Sequence, residues 1–229
     1  MKELFDEEMD TGEFMKERET SGSPSREEIP ENKQTTLGLY VNAVQAYEMW
    51  KSDPDRIKII DVRTPEEYGF IGHPDTAWNI PLAFVTYTRK NGITEYGPMW
   101  NTEFIDEIKN IAGKDDPLLV MCRSGDRSAM AVNKLAAAGY NNAYTITDGF
   151  EGDKVDDPGS VFHGKRMRNG WKNSAPWIYT IDPEKIILRE HIEADRVMKN
   201  CTVKQVVQYT GNNAIHQSCP NGGTHDVQA

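Results

Sequence analysis

An apolar run that ends on a cysteine, turns through a short polar loop and re-enters a small-residue helix restricts this chain more than any other stretch. Leu118-Leu-Val-Met121 is short and uniformly apolar, which reads as a strand buried on both faces. Ala129 to Ala138, stopped by Gly139, reads as a helix. Between them, Cys122-Arg-Ser-Gly-Asp-Arg-Ser128 has to reverse the backbone, and successive N–H groups in such a turn converge near the positive end of the helix. Cys122 stands inside that field with Arg123 and Arg127 beside it, a setting that favours the thiolate, the nucleophilic form of the side chain.

These residues resemble the active-site loop of rhodanese-type sulfurtransferases, in which an arginine follows the cysteine by five positions. An upstream segment carries an independent resemblance. Ile59-Ile-Asp-Val-Arg-Thr-Pro-Glu-Glu-Tyr68, then Gly72-His73 and Ala77-Trp-Asn-Ile-Pro81, is similar to the family's Asp-Val-Arg and Gly-His elements. The resemblance implies one rhodanese domain over residues 36–178, an α/β fold with a parallel sheet and helices on both faces. It implies Cys122 as the catalytic residue. Arg123, Ser124, Gly125, Asp126, Arg127 and Ser128 would form the substrate-binding loop, with Asp61, Arg63, His73, Gly149 and Trp171 in support. Two departures stand out: Pro74-Asp75-Thr76 follows His73 where the family commonly has an isoleucine and a glycine, and Asp148 replaces the first of a glycine pair.

The surrounding chain alternates strand and helix signals, as a mostly parallel sheet requires. Leu37–Val41, Ile57–Val62 and Ala143–Thr147 read as strands. Asn42–Trp50 reads as a helix, and so does Thr102–Ala112, with Phe104, Ile105, Ile108 and Ile111 on one side, a cap from Asn101 or Thr102 and a stop at Gly113. Asp61 and Arg63 then fall at the C-terminal end of a strand, the edge where open α/β sheets place their sites. The simplest role for that pair is tying loops together through charge-assisted hydrogen bonds, and for His73 a structural hydrogen bond. Phe84 to Trp100 shows no clear periodicity and could border a pocket or cover the sheet. Residues 151–169 read as an insertion, acidic first and basic last, at the same edge of the sheet.

Both ends read as extensions. Residues 1–35 carry 11 Asp plus Glu against 5 Lys plus Arg and too few apolar residues to offset ordering entropy, so they read as mostly disordered. Residues 179–229 read as a partly helical extension with a flexible tail. Its helix, from Ile186 to Lys199, is amphipathic and is a candidate homodimer surface. A net charge of −10 argues against nucleic-acid binding, which needs a basic surface. No apolar run is long enough for a membrane span or a secretory leader, so the expectation is a cytoplasmic protein, periplasmic if a signal peptide was removed. Three cysteines make no disulfide framework, though Cys201 or Cys219 could resolve an oxidised or persulfidated Cys122. His216, Cys219 and His225 lack the paired spacing of a zinc site, so neither metal nor cofactor is expected.

The chemistry implied by the resemblance is transfer of sulfane sulfur from a small anionic donor, thiosulfate or a polysulfide, to a thiol, protein-thiol or cyanide acceptor through a Cys122 persulfide. Arg123 and the loop N–H groups would hold the donor. Arg127 would either bind it too or tie the loop to an acid such as Asp61. Asp126, a carboxylate in an anion loop, costs little if it faces solvent or pairs with Arg127, and would tune the site toward less charged donors. One rival is a phosphatase or arsenate reductase of the same fold, whose loop is one residue longer. Another is a sulfur-relay module that accepts sulfur only from a partner protein.

Overall fold

The structure, a computed structural model, describes residues 25–188. In chain order it contains β1 (Tyr40–Val41), α1 (Ala43–Ser52), β2 (Lys58–Asp61), α2 (Pro65–Ile71), β3 (Ala77–Asn79), β4 (Ala83–Lys90), β5 (Ile93–Trp100), α3 (Phe104–Ile111), β6 (Leu118–Met121), α4 (Asp126–Ala137) and β7 (Ala143–Ile146). Five strands form one sheet in the order β1-β7-β6-β2-β3, and every neighbouring pair is parallel. All four residues of β6 are fully buried, as expected of a central parallel strand. Its alternate side chains serve two faces. Leu118 and Val120 join Ile60 in a core closed by Phe104 and Ile108 of α3 and Ala131, Val132 and Leu135 of α4. Leu119, Met121 and Ile59 point the other way and are equally buried, so the sheet is covered on both sides.

Local sequence starts the first two helices. Asn42 accepts from the Gln45 N–H and the Gln45 side chain accepts from the Asn42 N–H, both at 2.9 Å, a reciprocal cap on α1. Thr64 and Glu67 do the same for α2, and Pro65 occupies its first turn, where a missing N–H costs nothing. α2 and β3 are not among the expected elements, and three further stretches differ from expectation. α4 begins at Asp126, three residues before the expected start, because the loop turns directly into the helix after Gly125. The residue before α3 is Glu103, and Asn101 accepts from its backbone N–H at 3.0 Å.

The third difference is residues 83–100, which show no clear periodicity in the sequence but form a two-stranded antiparallel hairpin, β4 against β5. Asn91 and Gly92 turn it, both with positive φ (52° and 79°), the conformation of a type I′ turn.

Both ends of the described region depart from the expected extensions. Residues 26–28 and 31–33 form short 3-10 turns, Ile29 is buried, and the Lys33 side chain donates to the Thr147 carbonyl at 3.1 Å. The segment from 25 to 35 is therefore packed on the domain rather than disordered; residues 1–24 lie outside the described residues. Ile186 does not begin a helix: it makes a parallel bridge to Asn79, and the Ile187 N–H donates to the Asn79 carbonyl at 3.0 Å. The expected helix beyond it, with Cys201, His216, Cys219 and His225, lies outside the described residues.

Candidate active site

The end of β6 delivers Cys122, and the turn that follows wraps back over its sulfur. Gly125 takes φ +110°, a backbone conformation that a side chain would strain and for which there is no room, since a Cβ there would meet the Thr147 carbonyl and the Lys33 side chain. This turn aims the Gly125 N–H at the Cys122 Sγ, 3.2 Å away. Ser128, in the first turn of α4, lies 3.7 Å from the same sulfur, and its hydroxyl donates to the Gly125 carbonyl at 2.9 Å. The leading N–H groups of α4 have no partner within the helix, so its positive end opens on the loop. Cys122 is itself only 1% exposed.

The turn after β7 holds the loop from behind. Phe150 N–H donates to the Cys122 carbonyl at 2.8 Å and Glu151 N–H to the Arg123 carbonyl at 3.0 Å. Gly149, with φ +63°, lets the two backbones approach: a Cβ there would sit 2.6 Å from the Cys122 carbonyl oxygen. Trp171 is buried against this turn, donating its N–H to the Gly149 carbonyl at 2.9 Å and its indole Nε1–H to the Pro176 carbonyl at 2.8 Å. Asp148, in place of a glycine, accepts from Ala43 N–H at the start of α1 and from Gly170 N–H, each at 2.9 Å. Burial pushes its carboxyl up to about 6, against the pull of those donors.

Both loop arginines are already engaged. Arg127 donates to the two carboxylate oxygens of Glu67 at 2.6 and 2.7 Å, so the acid that ties down the loop is Glu67 and not Asp61. Burial opposes both charges, but the bidentate contact overrides it, holding Glu67 below and Arg127 above their ordinary values. Arg123 pairs with Glu151 across 3.1 Å, with half of its side chain open to solvent. Asp126 is exposed and accepts from Asn32 at 2.5 Å, a partner supplied by the N-terminal segment rather than by Arg127.

The remaining expected residues lie beneath the loop, not in it. Asp61 and Arg63 form a fully buried pair at 2.6 Å, and Arg63 also donates to the Gly72 carbonyl at 2.7 Å. The guanidinium lies 4.2 Å from the centre of the Phe150 ring, so this pair supports the turn that supports Cys122. His73 is stacked on Tyr68 at 3.5 Å, its Nδ1 is 3.0 Å from the Tyr68 carbonyl, and burial lowers its pKa. These contacts and its bridge to Ile178 hold His73 against α2 and the C-terminal segment. Among the described residues no His, Cys, Asp and Glu cluster could hold a metal ion, and no helix is long and apolar enough to cross a membrane.

Sequence reasoning missed Glu67 and Glu151 as partners of the loop. Thr64-Pro-Glu-Glu67 has the spacing of a helix cap, which would have placed Glu67 at a helix start beside the sheet's C-terminal edge. Nothing local marks Glu151 as the partner of Arg123.

A buried cysteine held by an N–H at the junction of a central parallel strand and a helix defines an α/β cysteine-loop domain. The chain belongs to the rhodanese-like domain family: the family model matches residues 43–155. An uncharacterized protein of Rickettsia prowazekii is 34% identical over 122 residues, covering 52% of this chain and 80% of that protein. Thiosulfate sulfurtransferase 18 of Arabidopsis thaliana is 31% identical over 91 residues, 40% of this chain and 62% of that protein. The crystal structure of Rv0390 from M. tuberculosis is similar at 30% identity with a TM-score of 0.45, covering 62% of this chain and 97% of that one.

Proposed function

We propose that the chain is a sulfurtransferase that carries sulfane sulfur on Cys122. The observation that carries this reading is the Gly125 N–H directed at the Cys122 Sγ from 3.2 Å, inside a loop that ends at the start of α4. In the first step the Cys122 thiolate attacks the outer sulfur of thiosulfate or a polysulfide. A bond forms between the two sulfurs, the donor's S–S bond breaks, and its electron pair leaves on sulfite or the shortened polysulfide. In the second, an acceptor thiolate or cyanide attacks the outer sulfur of the persulfide, and the Cys122 thiolate leaves. No proton has to move in either displacement, so no general base is needed, and His73 is not asked to be one. The Gly125 N–H meets negative charge on the cysteine sulfur at both ends of the cycle.

The burial of Cys122 favours a donor with a narrow reactive end, such as a terminal sulfur, over a bulky one. The phosphatase or arsenate reductase reading is less favoured. Arg127, the arginine that would have to hold a tetrahedral oxyanion, is bound at both ends of its guanidinium by Glu67. Mass spectrometry of the full chain after incubation with thiosulfate or polysulfide tests the proposal. One added sulfur, removed by cyanide and absent in Cys122→Ser, is the expected result. No adduct with either donor would overturn it, and would turn attention to a sulfur relay fed by a partner protein.

A further inference from the structure

The β4–β5 hairpin stands outside the five-stranded sheet, and among the described residues neither of its edges pairs with another strand. Two-stranded ribbons of this kind are marginal in water by themselves. This one also exposes an apolar face. Ala83, Val85 and Tyr87 of β4 lie opposite Trp100, Pro98 and Tyr96 of β5, with Tyr87 at 71% and Tyr96 at 75% exposure.

Its two edges are unequal. The turn at Asn91-Gly92 closes on Lys90 and Ile93, a hydrogen-bonded pair in a two-residue hairpin, and bonded and non-bonded pairs alternate from there. The backbone groups of Thr94, Tyr96, Pro98 and Trp100 therefore face out from β5, and those of Ala83, Val85, Tyr87 and Arg89 face out from β4. Proline has no N–H, so Pro98 blunts the β5 edge. The β4 edge has four outward residues, each with both donor and acceptor.

We infer that the β4 edge is a homodimer interface, in which two copies of β4 pair antiparallel about a two-fold axis at Thr86. The strand is self-complementary in that register, and no like charges face one another across it. Thr86 meets Thr86 of the second copy, Val85 meets Tyr87, and Arg89 meets Ala83. Thr–Thr and aromatic–β-branched partners are the favourable cross-strand pairs. The pairing joins the two ribbons into a four-stranded sheet with all of the apolar face on one side, an isologous contact that closes on itself. It also carries the cationic tip, Arg89 and Lys90, toward the body of a partner whose described residues, 25–188, hold 24 Asp plus Glu against 19 Lys plus Arg.

The test is the mass of the full chain in solution by sedimentation and light scattering, with three variants. Val85→Pro removes an outward N–H from β4 at a position that gives none to β5, and should yield a monomer. Thr94→Pro makes the same change on the β5 edge and should leave the dimer intact. Thr86→Cys should form a disulfide between the two copies of position 86, found by peptide mapping, because directly opposed non-bonded pairs lie within disulfide reach. A monomeric parent at about 100 µM, far above the dissociation constants of stable dimers, would overturn the inference. So would a dimer that survives Val85→Pro, or a Thr86→Cys variant that forms no intermolecular bridge at that position.

Discussion

Asp148 links the turn behind Cys122 to solution pH, and the size of that link follows from its surroundings. Its carboxylate is buried, and its folded-state value of about 6 stands above the ordinary 3.8. The folded chain therefore binds this proton more tightly than the unfolded chain does. A raised carboxyl contributes stability that is present at low pH and is lost as pH rises through the folded value. The gap corresponds to about 3 kcal/mol in total, of which about 2 kcal/mol falls between roughly pH 4.5 and pH 7.5. Glu67, held low by Arg127, works in the opposite direction in acid, so the pH profile of the parent alone does not isolate Asp148. Subtracting Asp148→Asn does. The variant keeps one acceptor for the N–H groups of Ala43 and Gly170 and turns an amide donor toward the other, a loss of about 1–3 kcal/mol that does not vary with pH. Urea unfolding of both proteins across this range should show the advantage of the parent shrinking by about 2 kcal/mol as pH rises. A difference that stays constant to within about 0.5 kcal/mol would refute the reasoning, because it would mean that burial does not hold a proton on Asp148.

Arg63→Met leaves Asp61 charged and buried without its partner, and should cost about 3–5 kcal/mol in urea unfolding, with much of the loss recovered in the Arg63→Met/Asp61→Asn double variant. Gly149→Ala drives a methyl group against the carbonyl of Cys122 in a positive-φ conformation, and should lower stability by more than about 1 kcal/mol and slow sulfur loading of Cys122 in stopped assays. Glu151→Gln releases Arg123 from a half-exposed ion pair, so kcat/KM for thiosulfate should rise by a factor of about 2–5, and the gain should fade as salt is added.

The parts of the site legible in the sequence were those written in consecutive residues. β6, the loop and α4 follow from one apolar run, one glycine and one small-residue helix, and burial of the strand on both faces made that run unmistakable. Glu67 and Glu151 were not legible as partners because each meets its arginine only after the sheet brings separate turns together; Glu67 lies 60 residues from Arg127. The hairpin escaped for a different reason. Strand periodicity is visible when one face is buried and the other wet, and most of this ribbon is exposed on both faces, leaving Asn91-Gly92 as its one strong signal. Residues 25–35 look too polar to order themselves, which remains true of the segment alone. It orders on a surface already built, with Asn32 and Lys33 bonding to Asp126 and the Thr147 carbonyl.

On the proposed sulfur-transfer reading, the two loop arginines divide the work between geometry and selection. Arg127 is half-buried and gripped at both nitrogens, so exchanging its carboxylate for a substrate anion would leave Glu67 charged and stranded; it fixes the loop. Arg123 is held by a single contact, with half its surface in water, so a donor can replace Glu151 at small cost. The backbone N–H of Gly125, which no side-chain change removes, serves the sulfur itself. Position 151 can therefore change which donors approach without moving the atoms that do the chemistry. That separation is why a change at Glu151 should alter donor preference while a change at Gly149 should alter every donor alike.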